Sequence, residues 1–157
     1  MKNVLPGAAF AMALLVSSQA FAGTVISDPV AFIKSVYAAE QSGKAPPDDI
    51  NTPRLQALYD LNTKEFGSDE VGRIDFDIYM NAQDGTITDV KVKGVPVEKG
   101  PNREVVIANF KNEGKPQEIH FYFEKGKGGW KLDDARSTKG ETWTLSLILK
   151  YGWDGAQ

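Results

Sequence analysis

The order of periodic segments predicts an α+β fold, with N-terminal helices packed on a curved antiparallel sheet. Three observations carry that prediction. Asp28-Pro29 and Thr52-Pro53 each pair a side-chain cap with a proline at the first helical position, ahead of apolar residues at helical spacing. From Arg103 to Asp134 the period drops to two, as Ile119, Phe121 and Phe123 alternate with His120, Tyr122 and Glu124. The links Asn112-Glu-Gly114 and Gly126-Lys-Gly-Gly129 then cut that stretch into three strands, Arg103–Lys111, Gln117–Lys125 and Gly129–Asp134.

In chain order, Lys2, the apolar run Ala8–Val16 and the small-residue site Ala20-Phe21-Ala22 read as a secretory signal peptide over residues 1–22. The run is shorter than the roughly 20 residues needed to cross a bilayer. Residues 23–157 are expected to form a single exported domain in a bacterial periplasm or outside the cell. Gly23–Ser27 reads as a mobile polar leader. A first helix begins at Asp28-Pro29 and runs to about Gln41, with Val30, Ile33 and Tyr37 on one stripe and Phe32 and Val36 alongside. Residues 42–49 break it. A second helix begins at Thr52-Pro53 and continues through Leu55, Leu58, Tyr59 and Asn62.

From Phe66 to Gly85 periodicity disappears, and Asp75 to Gly85 is expected to be a short helix or ordered loop ending in a turn. Thr86–Val97 alternates Val90 and Val92 with Lys91 and Lys93, a half-exposed strand that Gly94 and Pro96 confine to an edge. The tail is two-valued. Trp143, Leu145, Leu147, Leu149 and Tyr151 alternate as a strand would, and the residues by themselves favour strand, while Trp143, Leu147, Ile148 and Tyr151 also satisfy helical spacing.

Composition sets further bounds. The 157 residues include 18 basic and 21 acidic side chains, a formal net charge of −3 that becomes about −4 once Lys2 is removed. Nucleic acid and anionic membrane surfaces both require a basic patch, so neither is an expected partner. There is no cysteine, which excludes disulfides, thiol catalysis and a cysteine-linked lipid anchor.

Phe32-Ile-Lys-Ser-Val-Tyr37, Pro53-Arg-Leu55, Asp75-Phe-Asp77, Gln83-Asp-Gly85, Gly129-Trp-Lys-Leu-Asp-Asp134 and a Leu-rich end together resemble a family of bacterial exported domains of unknown function. That family is similar to the nuclear transport factor 2-like superfamily. The resemblance covers most of Asp28–Lys150. It implies a cone of helices and curved sheet around an internal pocket, a helical rather than extended tail, and possible homodimers through the open sheet face. The superfamily contains both enzymes and inert binding modules, so the resemblance leaves function open.

The residues suited to line such a pocket are Tyr37, Tyr59, Asp77, Gln83, Asp84, His120, Tyr122 and Trp130. His120 is the only histidine, which removes His-rich metal sites. It would act as a general base if an acid such as Asp77 oriented it, and as a plain cross-strand partner if it lies beside Tyr122 and Glu124 on the outer face. Asp75, Asp77 and Asp84 suit proton transfer or a hard cation, but equally suit helix caps and turn bonds. Gln83 would present an amide to a pocket or tie its loop to a strand. Tyr37 and Tyr59 fill core volume and send their hydroxyls to partners. Trp130 anchors the start of a strand.

Gly126-Lys-Gly-Gly129 lacks the end of a phosphate loop, and no cofactor or metal is implied. The leading expectation is a non-catalytic exported binding protein, taking a small apolar ligand or an envelope protein. The alternatives are a cofactor-independent lyase or isomerase using Asp77 or Asp84 with His120 and Tyr37, and an envelope partner that neutralises a toxin or supports an assembly.

Overall fold

A computed structural model describes residues 24–43, 47, 49–97 and 100–155. The signal-peptide reading falls on residues 1–22, outside that set. Among the described residues the chain forms three helices and one five-stranded antiparallel sheet in the order β1-β2-β3-β4-β5. The strands are β1 Ile87–Pro96, β2 Arg103–Asn112, β3 Lys115–Gly126, β4 Gly129–Lys139 and the two-residue β5 Trp143–Thr144. The sheet is open, with β1 at one edge. No helix among the described residues is long and apolar enough to cross a membrane.

Helices α1 (Pro29–Glu40) and α2 (Pro53–Phe66) start where cap chemistry places them. Asp28 Oδ1 accepts from Ala31 N at 3.0 Å, and Thr52 Oγ1 accepts from Leu55 N at 3.2 Å. α1 buries Ile33, Val36 and Tyr37 against β1 and β2, whereas α2 fully buries only Leu55 and lies toward β4.

The β2–β3 hairpin closes through Glu113 and Gly114, both at positive φ (48° and 75°), which is the geometry of a two-residue I′ turn. Its twist matches the strands it joins. β4 runs five residues past Asp134, the end expected from sequence, because Ala135 and Ser137 keep the inward alternation going after a bulge.

The leader is not a loose arm. Ile26 is 2% exposed and pairs with Trp130, whose N–H donates to Ile26 O at 2.9 Å. Gly129 permits that approach: a Cβ there would stand 2.9 Å from Ile26 O, and its φ is +96°. Asn51 bridges Leu132 in parallel along the same strand, Thr52 N donating to Leu132 O and Leu132 N to Ile50 O, each at 2.7 Å. Two short pre-helix segments therefore cover the first half of the β4 edge, and β5 covers the second half at Arg136 and Ser137.

The tail resolves as two residues of strand followed by helix α3 (Leu145–Tyr151). Leu145, Ile148 and Leu149 form its buried face, while Leu147 and Tyr151 point outward. The strand reading of Trp143–Tyr151 thus holds only to Thr144. The helical spacing that places Leu147 and Tyr151 inward selects the wrong face.

Candidate functional site

Strand register sorts the sheet into two faces. Val106, Ala108, Phe110, Ile119, Phe121, Phe123, Leu132 and Ala135 face the helices and are buried. Aromatic rings fill the space between: Tyr79 stacks on Phe121 with centroids 5.4 Å apart, and Tyr37 meets Phe110 at 5.2 Å. Among the described residues the opposite face carries no layer of helix. Across it, Lys93, Ile107, His120 and Arg136 fall in one row, and Val95, Val105, Tyr122 and Asp134 in the next.

A groove of about 360 Å³ opens on that uncovered face over Val105 and Tyr122, with Arg54, Arg103, Glu124 and Arg136 at its rim. A second cleft of about 470 Å³ lies between the 72–83 loop and the C-terminal turn, lined by Arg73, Asp75, Phe76, Gln83 and Trp153.

The bulge in β4 builds the charged side of the first groove. Phe123 pairs with Leu132 and Tyr122 with Asp134, leaving Asp133 without a partner residue and bringing two carboxylates to the strand edge. Asp133 accepts from Thr52 Oγ1 at 2.7 Å and from Arg54 Nε and Nη2 at 3.0 Å. Asp134 accepts from Ser146 N at 3.0 Å and Ser146 Oγ at 2.5 Å. Thr144, at the N-terminus of α3, makes no side-chain cap bond, so Asp134 serves as the cap from another strand.

Burial pushes the Asp133 carboxyl upward. The hydrogen bonds from Arg54 and Thr52, with the charges of Arg54 and Arg103, outweigh it and hold the group below its ordinary value. Because the folded-state pKa lies below the unfolded value of about 3.9, the stabilisation is present above that pH and lost as pH falls through the folded pKa. Arg54 is half exposed, which screens the pair. Asp133→Asn is therefore expected to cost about 1 kcal/mol in urea unfolding at pH 7, with the difference shrinking toward zero near pH 2. An equal difference at both pH values would refute the linkage.

The eight sequence candidates do not meet in one place. Tyr37 is 1% exposed and donates its hydroxyl to Tyr79 O at 2.9 Å; burial holds its pKa well above the ordinary value. Tyr59 is half-buried on α2, its pKa pushed up to about 12 by burial, with the Asp134 and Asp77 charges adding. Asp77 accepts from Tyr79 N (2.7 Å) and Met80 N (3.2 Å), a side-chain-to-backbone turn. Gln83 is exposed in the 470 Å³ cleft, and Asp84 is an exposed loop residue whose carbonyl accepts from Asn112 at 3.4 Å.

His120 and Tyr122 lie on the uncovered face. His120 Nε2 is 2.9 Å from Glu118 Oε1, and hydrogen bonds from Thr138 and then His120 draw the Glu118 carboxyl below its usual value. Trp130 is buried at the start of β4. His120 and Asp77 thus stand on opposite sides of the sheet, so neither orients the other. Asp75, Asp77 and Asp84 do not gather either: among the described residues no group of three His, Cys, Asp or Glu side chains is placed to hold a metal ion.

Sequence reasoning passed over the residues that organise this end of the molecule. Asn81, at φ 54°, sets its Nδ2 beside three acceptors that share its two N–H groups, Gln117 Oε1 (2.8 Å), Ser137 Oγ (3.0 Å) and Glu141 O (3.0 Å), and accepts at Oδ1 from Trp143 Nε1. Asn112, buried in β2, donates to Met80 O and Asp84 O from the other side of the loop. The available signals were an amide in a turn-forming run, where Asn tolerates positive φ, and a pair of adjacent aspartates within a strand.

Fold and sites together define an α+β domain with an uncovered antiparallel sheet face. Comparison with known proteins finds no matching family model, no matching curated protein and no matching solved structure.

Proposed function

We propose that this chain is a non-catalytic exported binding protein that works in the periplasm or outside the cell. One observation supports the reading above the others. The side chains best suited to acid–base chemistry are each held in structural hydrogen bonds on separate parts of the fold: Tyr37 to Tyr79, Asp77 to its own turn, His120 to Glu118, and Asp134 to Ser146. General acid–base catalysis needs such groups to converge on one reacting atom within about 3 Å, directly or through one water. The uncovered sheet face, by contrast, offers a groove within the size range of small-ligand sites, roughly 300–1,000 Å³.

Native mass spectrometry of protein purified from its own envelope compartment tests the reading. The expected spectrum starts at Gly23 and carries an extra mass released on unfolding. Turnover of a hydrolysable or dehydratable substrate, abolished by Asp77→Ala or His120→Ala, would overturn it.

A further inference from the structure

The charges around the groove on the uncovered face do not pair off evenly. Arg103 Nη2 meets Glu124 Oε1 at 2.7 Å, and Arg54 is held by Asp133, with Asp134 Oδ2 at 3.7 Å. Four acidic residues line the groove; Glu124, Asp133 and Asp134 are thereby engaged, and the fourth, Glu104, has its carboxylate toward Gly94 and Val30 on the helix side of the sheet. Arg136 lines the same groove, and among the described residues its guanidinium makes no salt bridge and no hydrogen bond. The Tyr122 hydroxyl also has no hydrogen-bond partner among them, although its ring forms part of the floor with Val105. His120, directly across from Arg136, is turned to Glu118, and the other cation of that row, Lys93, is exposed on the edge strand.

An apolar floor with one unmatched guanidinium and one free phenol is complementary to a molecule of matching polarity. We infer that the groove over Tyr122 binds a small amphipathic carboxylate, its apolar body lying on Val105 and Tyr122 and its carboxylate reaching Arg136. The inference rests on the binding-protein reading and names the ligand class for it. A guanidinium takes a carboxylate through two parallel hydrogen bonds, and the phenol adds a third donor. The neutral amide of the same molecule has one acceptor oxygen and no charge. Discrimination between acid and amide therefore measures the role of Arg136 directly. A phosphate monoester would satisfy the guanidinium as well, but Glu124, Asp133 and Asp134 at the rim disfavour a second negative charge.

The test uses 4-phenylbutanoate and 4-phenylbutanamide as probes, followed by backbone amide chemical shifts of the mature chain. The acid is expected to shift the amides of Val105, Tyr122 and Arg136 and their neighbours. Arg136→Gln should weaken it about tenfold, and Tyr122→Phe by a smaller factor. Binding of the amide should be weak and indifferent to Arg136→Gln. Arg136 is exposed and makes no contact that the fold depends on, so the variant should keep the wild-type melting temperature.

Shifts confined to the 72–83 cleft, equal affinity for acid and amide, or no shifts at millimolar acid would each overturn the inference. So would a hexaglutamate peptide that shifts the same amides at lower concentration than the acid, which would assign the face to a protein segment. The parent reading fails separately. A neutral molecule recovered in native mass spectrometry overturns the carboxylate and leaves a binding protein, whereas turnover of bound 4-phenylbutanoate removes the non-catalytic reading.

Discussion

Asn81→Ala is expected to lower the melting temperature by about 10 °C or more, corresponding to roughly 3–5 kcal/mol for a domain of this size. The substitution removes two N–H donors, shared among three acceptors, and one accepted bond at a stroke. Gln117, Ser137 and Trp143 are all buried, so the atoms left behind have little access to water and retain their desolvation penalty. Alanine also fits poorly at φ 54°, where a Cβ crowds the following carbonyl and asparagine is tolerated. Asn81→Asp separates the parts. It keeps an acceptor for Trp143 Nε1 and loses the donors to Gln117, Ser137 and Glu141, so its loss should be comparable or larger if the donors dominate. A thermal midpoint within about 3 °C of wild type for Asn81→Ala would show that the buried partners re-pair locally and that this network contributes little.

Phe121→Ala should cost about 3–5 kcal/mol, through lost burial and the cavity that remains. Phe121 is fully buried in the central strand and stacked on Tyr79, with an interplanar angle of 24°. Both neighbours of Phe121 across the sheet, Val106 and Ala135, are inward and fully buried, so the gap has few side chains able to collapse into it. The vacated volume would be apolar and dry, and benzene is expected to raise the melting temperature of the variant while leaving wild type unchanged. If benzene stabilises wild type as much as the variant, the inner face already holds room for a ligand, contrary to the ring packing described. If Phe121→Ala unfolds outright, Phe121→Leu provides a smaller cavity with the same test.

How much of this was legible in the sequence depends on the range over which each choice is made. Asp28-Pro29 and Thr52-Pro53 fix helix starts within four residues of chain, and both helices begin there. The I′ turn at Glu113-Gly114 is equally local. The tail was not readable in this way. Alternation at Trp143–Tyr151 is compatible with a strand, but β4 offers pairing only at Arg136 and Ser137. Beyond Thr144 the chain meets the Asp134 carboxylate, which binds Ser146 N and supplies the helix cap that its own sequence lacks.

The same holds for the candidate site. The pattern of β3 separates His120 and Tyr122 from Ile119 and Phe121, but only the position of the helices says which set is inward. Asn81 gains its meaning from Gln117, Ser137 and Trp143, which lie 36, 56 and 62 positions away. No spacing rule reaches that far. The groove at Arg136 depends on a bulge that shifts one aspartate out of register, and bulges leave only a faint compositional trace.

The double clip along β4 has a kinetic consequence. Lys131 reaches back to Thr24 across 107 positions, and Asp133 to Thr52 across 81, whereas the β2–β3 and β3–β4 hairpins close over two residues each. Loop closure over long separations is entropically costly, and contacts of low separation form first. The meander should therefore zip early as a folding nucleus, with the arm at Ile26 and the segment at Ile50–Thr52 docking onto it afterwards. A chain synthesised N-end first emerges with those two segments ahead of the strand that receives them. The Ile26 arm would stay exposed until roughly a hundred further residues had emerged, a window in which a chaperone or protease has access that the finished fold denies.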